Sequence, residues 1–322
     1  MPLDPPTEES LTIARGPSRA RILTYGATLA DFRLDGFAHS LVLGSEDAAA
    51  YRGPMRYFGA IVGPIANRIA GGRAPLDGRI VTLATNEGDT ALHGGPQGLS
   101  QRSWSIESRD RHRVVLGIAS DPGDGGPPGP LTIRVAYEIE EDGALRLEVT
   151  GQSPAQTFCN PAFHGYWCLG SEGLAGHRLC VAADHYLPTD RALIPTGEIA
   201  PVAGTAYDLR SPTPLPAAVD LDTNFCLNGA GFRKVAWLET DRLTMTVETD
   251  APGLQIYDAA GLDTRPARGH HGKPYGAFAG LAMEPQLWPD APNHPEFPSI
   301  ELSPDRVFRQ SSRFRFIRKE TP

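Results

Sequence analysis

The sequence predicts an all-β protein, a large antiparallel β-sandwich, and three features predict it. Glycine and proline cut the chain into short pieces, the pieces alternate apolar and polar residues with period two, and no amphipathic stretch of helical length separates them. The 35 Gly and 30 Pro are scattered over all 322 residues, which leaves little room for long helices. Strand following strand in this way favours antiparallel sheets over a parallel βαβ arrangement.

Taken in chain order, residues 112–118 form the first clear strand-like piece. Residues 121–130 are rich in Gly and Pro, but both flanks are strand-like and the composition does not shift across them, so a long surface loop is expected rather than a domain linker. Leu131, Ile133, Val135, Tyr137 and Ile139 then alternate with Thr132, Arg134, Ala136 and Glu138, as a strand with one buried face requires. Leu145, Leu147 and Val149 keep that alternation after a turn holding Asp142 and Gly143, which predicts a hairpin. Residues 178–182 are another strand-like piece. Leu243, Met245 and Val247, followed across Ala251, Pro252 and Gly253 by Leu254 and Ile256, read as a second strand pair, and residues 313–318 close the series.

Composition limits the classes of function. Hydrophobic residues at 40% and charged residues at 21% are ordinary for a folded globular chain, so neither disorder nor a fibrous repeat is expected, and residues 1–322 are read as one domain. A formal charge of -8 opposes attraction to nucleic acid or to anionic membrane surfaces. Met1 to Ser10 lacks the basic start and apolar run of a secretory signal, and no apolar stretch approaches the roughly 20 residues that cross a bilayer. A cytoplasmic protein is therefore expected, with Cys159, Cys168, Cys180 and Cys226 as reduced core residues.

The general signatures of nucleotide, zinc-protease and serine-hydrolase sites are missing: there is no GxGxxG after a strand, GxxxxGK[ST], HExxH or GxSxG. His270 and His271 are adjacent, but neighbours in an extended segment point to opposite faces, so a solvated loop is expected there rather than a metal site. What remains are polar residues in apolar or glycine-bounded settings: His93 in Leu92-His93-Gly94-Gly95, His164 in Phe163-His164-Gly165-Tyr166-Trp167, and Glu284 in Leu281-Ala282-Met283-Glu284-Pro285-Gln286. A carboxylate with almost no charged company, if buried, has its pKa pushed upward and suits proton transfer. Taken alone, however, a His beside glycines is more often a structural hydrogen-bonder and a Glu before Pro more often ends a strand, so local context leaves both readings open.

The motifs taken as an ordered set carry more. They run Tyr25-Gly26-Ala27-Thr28-Leu29, Leu41-Val42-Leu43-Gly44, Ala66-Asn67-Arg68-Ile69, Leu92-His93-Gly94-Gly95, Asn160 to Trp167 around His164, Tyr186-Leu187-Pro188, Leu193 to Ile199, Asp222-Thr223-Asn224-Phe225, Met283-Glu284-Pro285-Gln286, and Pro289 to His294. In this order they resemble the aldose 1-epimerase (galactose mutarotase) family over most of the chain. The resemblance implies the galactose mutarotase-like supersandwich with a sugar cleft across one sheet. Residue by residue it implies Glu284 as general base, His164 as general acid, and Arg68, His93 and Asp222, with Asn67 beside them, as sugar-binding groups.

The chemistry so implied uses these residue types. Glu284 takes the C1 hydroxyl proton while His164 delivers one to the ring oxygen; the ring opens, C1 rotates, and the reversed transfers close it as the other anomer. No redox step and no phosphorus or nitrogen bond is involved, so no cofactor and no metal are expected. The partner is a free aldose such as galactose, glucose or a pentose, acted on by a monomer or homodimer. Trp167 and Trp288 are candidates to stack on the pyranose or simply to pack in the core.

Three positions depart from the family pattern: Pro64 stands where Arg is frequent, Thr223 where His follows the sugar-binding Asp, and Asp258 lies in Tyr257-Asp258-Ala259-Ala260 in place of Tyr-Thr-Gly-Asn. All three are expected to alter pocket walls. The alternatives are a non-catalytic carbohydrate-binding or sensing protein on the same fold, and another enzyme using this sandwich, as a lyase accessory domain or as an epimerase acting on sugar phosphates. The acidic charge and the lack of an evident extra basic pocket residue oppose a phosphorylated substrate.

Overall fold

In the computed structural model, which describes residues 8–122, 128–216 and 219–319, the period-two segments become strands of two large antiparallel sheets. Residues 123–127 of the expected loop and residues 1–7 of the N-terminal stretch lie outside the described residues. Among the described residues the helical segments are short 3-10 turns, the longest Ala48–Arg52, and no helix is long and apolar enough to cross a membrane.

The larger sheet has nine strands in the order Thr213–Pro214, Arg178–Val181, Arg233–Glu239, Leu243–Thr249, Phe308–Arg318, Leu145–Gln152, Leu131–Ile139, Arg113–Ser120 and Ser105–Arg109. The hairpin read from the sequence is present, with Ile139 opposite Leu145. Its turn is set by two residues: the Asp142 carboxylate accepts from the Ala144 N–H at 3.1 Å, and Gly143 adopts φ 80°, which a side chain would strain.

The second sheet has six strands in the order Tyr166–Trp167, Leu281–Gln286, Gly253–Tyr257, Asp222–Cys226, His185–Tyr186 and Ala200–Pro201. Its odd-numbered Leu281 and Met283, its even-numbered Leu254 and Ile256, and Phe225 share one apolar core with Val247, Met245, Leu147, Val149 and Phe314 of the larger sheet. A third, three-stranded sheet from Ser10–Arg15, Ser18–Leu23 and Thr28–Leu34 adds Ile13, Ile22, Leu29 and Phe32 to that core.

Several sequence-based expectations change here. Leu243–Thr249 and Gly253–Tyr257 are both strands but not a hairpin: the first pairs with Arg233–Glu239 and Phe308–Arg318, the second with Asp222–Cys226 and Leu281–Gln286. The Pro252 turn hands the chain from one sheet to the other. Trp167 is fully buried, with its ring 4.8 Å from that of Phe314, and Trp288 packs edge-on against Phe297 at 5.1 Å while its indole N–H donates to the Pro252 carbonyl at 3.1 Å. Both are packing residues. The loop of His270 and His271 is solvated, with residues 271–274 exposed, but the His270 ring turns inward: its side chain is 8% exposed, its Nε2–H donates to the Ala30 carbonyl at 2.9 Å, and Nδ1 lies 3.3 Å from the Glu46 carboxylate. The four cysteines are buried and free, as expected.

Candidate active site

Strand register lays out the floor of the site. Because side chains alternate faces along a strand, committing Leu281 and Met283 to the core turns Ala282, Glu284 and Gln286 to the opposite face. Asn224 pairs with Gln255, and Gln255 with Glu284; one step along, Asp222 pairs with Tyr257, Tyr257 with Ala282, and Ala282 with Tyr166. Two adjacent cross-strand rows therefore gather carboxylates, amides and phenols from four strands on one face.

The wall opposite is a short ladder in which Arg68–Ile69 pairs with Ala91–Leu92. At its end Asn67 and His93 both adopt positive φ, 59° and 52°, a conformation uncommon for residues other than glycine. Two hydrogen bonds hold them there. The His93 N–H donates to the Asn67 carbonyl at 2.9 Å, and the Asn67 N–H donates to His93 Nδ1 at 3.1 Å. Since Nδ1 accepts, the ring proton sits on Nε2 and His93 is a neutral donor. The following Gly94 is required by space, because a Cβ there would lie 2.1 Å from the Gly63 carbonyl oxygen.

His164 is pinned through its backbone, donating to the Ala60 carbonyl and accepting from the Gly59 N–H, each at 2.9 Å. Its imidazole lies under the Tyr57 ring, with centroids 6.0 Å apart and planes 19° from parallel, and 5.3 Å from the His93 ring. Nε2 of His164 stands 3.4 Å from Oε1 of Glu284, and the two residues are 4% and 2% exposed. Among the described residues the second nitrogen of His164 and the second oxygen of Glu284 have no hydrogen-bond partner.

Burial acts on both members. It pushes Glu284 well above the usual carboxylate range, reinforced by the Asp222 charge and opposed by Arg68. It pushes His164 down to about 4. The neutral pair and the ion pair nonetheless carry the same single proton and differ only in where it sits along the 3.4 Å line. His93 is held well below its usual value by burial, then by the neighbouring His164 and Arg68 charges. Asp222 is raised by burial, against the pull of Arg68 and a 2.6 Å hydrogen bond donated by the Gln255 amide.

All six residues singled out from the sequence, Asn67, Arg68, His93, His164, Asp222 and Glu284, line one cavity of about 520 Å³. A larger cavity of about 600 Å³, bordered by His39, Leu43, Cys168, Leu174, His270 and Phe278, holds none of these six residues, and its His39 and His270 are bonded to backbone carbonyls. Among the described residues no group of three His, Cys, Asp or Glu could hold a metal ion.

The sequence missed several residues and misjudged others. Tyr57, Tyr166, Gln255 and Tyr257 line the cavity without a distinguishing local signal; the alternation of Leu254 and Ile256 does place Gln255 on the face away from the core. Glu284 has charged company after all, in Asp222 and Arg68. Arg56 is an additional basic residue on the cavity wall, its guanidinium 5.6 Å from the centre of the Tyr57 ring.

The three departures do not line this cavity. Thr223 is on the core side of its strand, Pro64 packs beneath the Gly94 turn, and the buried Asp258 accepts from the Leu221 and Ala260 N–H groups, each at 3.1 Å.

Comparison with known proteins gives one consistent result. A family profile described as aldose 1-epimerase matches residues 9–315. The chain is 35% identical over 332 residues to a galactose mutarotase of Bos taurus, covering 98% of this chain and 96% of that one. It is 34% identical over 319 residues to the aldose 1-epimerase of Escherichia coli K12, covering 92% and 91%. Among solved structures, an aldose epimerase homologue from C. elegans superposes with a TM-score of 0.91 at 28% identity, covering 98% of this chain and all of that one. A galactose 1-epimerase from Lactobacillus acidophilus gives 0.83 at 27%, covering 98% and 99%.

Proposed function

The chain belongs to the aldose 1-epimerase family and is an isomerase that interconverts the anomers of an aldose, and we propose that Glu284 and His164 carry the proton transfers. The observation that supports this most is their 3.4 Å separation, with both side chains buried at the wall of the cavity. The hydroxyl oxygen and the ring oxygen of a hemiacetal are bonded to the same carbon, so an acid and a base that serve both must stand side by side rather than on opposite sides of the ring. Glu284 as carboxylate accepts the C1 hydroxyl proton while His164 as imidazolium protonates the ring oxygen. The pair ends the ring opening with the one proton it began with, now on the other member. Reclosure on the opposite carbonyl face reverses the transfers, so a turnover needs no proton from solvent.

The remaining groups recognise hydroxyls. Arg68 donates, and its charge also draws Glu284 toward the ionised form. His93 donates from Nε2, Asp222 accepts, Asn67 and Gln255 complete the polar rim, and the Tyr57 ring offers an apolar face. The substrate is a neutral free aldose such as galactose, glucose or a pentose. The enzyme is read as a single domain over residues 1–322, supported by cavity residues that span Pro54 to Glu284, and as a cytoplasmic monomer or homodimer.

Polarimetry or saturation-transfer NMR on freshly dissolved α-glucose, α-galactose, arabinose and xylose tests the substrate reading: no rate above buffer with any of them would overturn it. A second reading, a sugar bearing a phosphate or carboxylate, is favoured by Arg56 alone, and adding hexose 6-phosphates to the panel separates the two. Sugar binding in a calorimeter without anomer exchange would instead indicate a carbohydrate sensor.

A further inference from the structure

We propose that Glu87 is a positioning residue that clamps the Arg68 guanidinium, so that Arg68 meets the sugar as an aimed hydrogen-bond donor instead of collapsing onto the site's own carboxylates. The inference rests on the reading of Arg68 as a sugar-binding group and adds a residue that acts only through it.

Local structure builds the clamp. Glu87 and Thr90 bridge across a tight reversal, with the Thr90 N–H donating to the Glu87 carbonyl at 2.9 Å and the Glu87 N–H to the Thr90 carbonyl at 3.2 Å. The Asn86 amide brackets Leu92, accepting from its N–H at 2.7 Å and donating to its carbonyl at 3.0 Å. Leu92 is the ladder partner of Arg68, so this turn folds the Glu87 carboxylate back onto the Arg68 side chain. There it accepts from Nε at 2.6 Å and from Nη2 at 3.0 Å, a two-pronged match of planar groups.

That geometry divides the five donors of Arg68 into two sets. Nε and one Nη2 hydrogen are spent on Glu87. Nη1 is left 3.7 Å from Asp222 Oδ2, beyond hydrogen-bond distance, where it borders the cavity. Arg68 also feels Glu284. Freed from Glu87, a 10%-exposed guanidinium facing two carboxylates would close the remaining gap to Asp222 and occupy the acceptor a sugar hydroxyl needs. Glu87 also matches the Arg68 charge locally, which leaves directed donors rather than a bare cation, the form suited to an uncharged ligand. The Glu87 side chain is itself 42% exposed, so the pair adds little to stability and its effect on activity can be read separately.

The test is a cycle of Glu87→Ala, Glu87→Gln, Arg68→Ala and the Glu87→Ala/Arg68→Ala double variant, each assayed for kcat and KM with α-glucose and α-galactose. Glu87→Ala is expected to raise KM and lower kcat/KM on the order of tenfold, the scale of coupling inside one hydrogen-bonded charge network. Glu87→Gln, whose amide oxygen can still accept from Nε, recovers part of the loss, and Glu87→Ala adds nothing once Arg68 is gone. Unfolding midpoints stay near that of the parent. Unchanged kinetics in Glu87→Ala beside a crippled Arg68→Ala would refute the clamp alone, as would additive losses in the double variant. Full activity in Arg68→Ala would overturn the sugar-binding reading of Arg68 and the clamp with it.

Discussion

Replacing His164 with Asn and following stability against pH measures the environment on which the proton chemistry depends. Burial lowers the folded-state pKa of His164 from the usual 6.5 to about 4. A depressed folded value means that the contribution of this group is full above 6.5 and is lost as the pH falls toward 4, because only the unfolded chain takes up the proton in that interval. At about 1.4 kcal/mol per pH unit, the interval amounts to about 3 kcal/mol. His93, Tyr57, Tyr166 and Glu284 face the ring and are all retained in the variant, so the difference reports the His164 titration together with the coupling of His164 to His93 and Glu284. Urea unfolding of both proteins at pH 7, 6, 5 and 4 should show the parent losing about 3 kcal/mol more than His164→Asn over that range. Parallel curves would mean that the imidazole titrates as it does in water. A difference that moves in the parent's favour on acidification would mean that the site welcomes a charged His164 beside a protonated Glu284. Either result would refute the desolvated pair.

Further expectations concern neighbouring features. Glu284→Gln should lower kcat by on the order of 10² or more, as loss of a general base does. It should also raise the thermal midpoint at pH 7: a carboxyl whose folded pKa is raised loses stability as the pH climbs above its unfolded value, and an amide does not, so calorimetry showing a lower midpoint would contradict the burial argument. Asp258→Ala leaves the Leu221 and Ala260 N–H groups without their acceptor and should cost about 1–3 kcal/mol in urea unfolding, whereas an unchanged midpoint would show that water replaces the carboxylate. The four thiols are buried, and burial raises Cys168 and Cys180 to about 11 and Cys226 to about 12. An aromatic disulfide reagent at pH 8 should therefore titrate none of them in the folded protein and all four in denaturant.

What the sequence determined by itself is local. Alternation over Leu131 to Ile139 marks a strand with one buried face, Asp142 and Gly143 mark its turn, and the ordered motifs name Glu284, His164, Arg68, His93, Asp222 and Asn67 before any coordinates are seen. The partner of a strand is a different matter. Period two reports that a face is buried but not against what, so Leu243–Thr249 and Gly253–Tyr257 look like a hairpin in sequence and lie in separate sheets in space. Electrostatic company is likewise nonlocal. Glu284 is surrounded by apolar residues in sequence, yet its charge environment comes from positions 68 and 222, brought within range by sheet register and by the Arg68–Leu92 ladder. The same holds for His270, whose loop is polar while its ring is held by Ala30, and for Glu87, an ordinary turn residue until the reversal at Thr90 sets it on Arg68. Only folding supplies those neighbours, because side-chain interactions fall off over a few ångströms while the residues that make them are spaced tens or hundreds of positions apart.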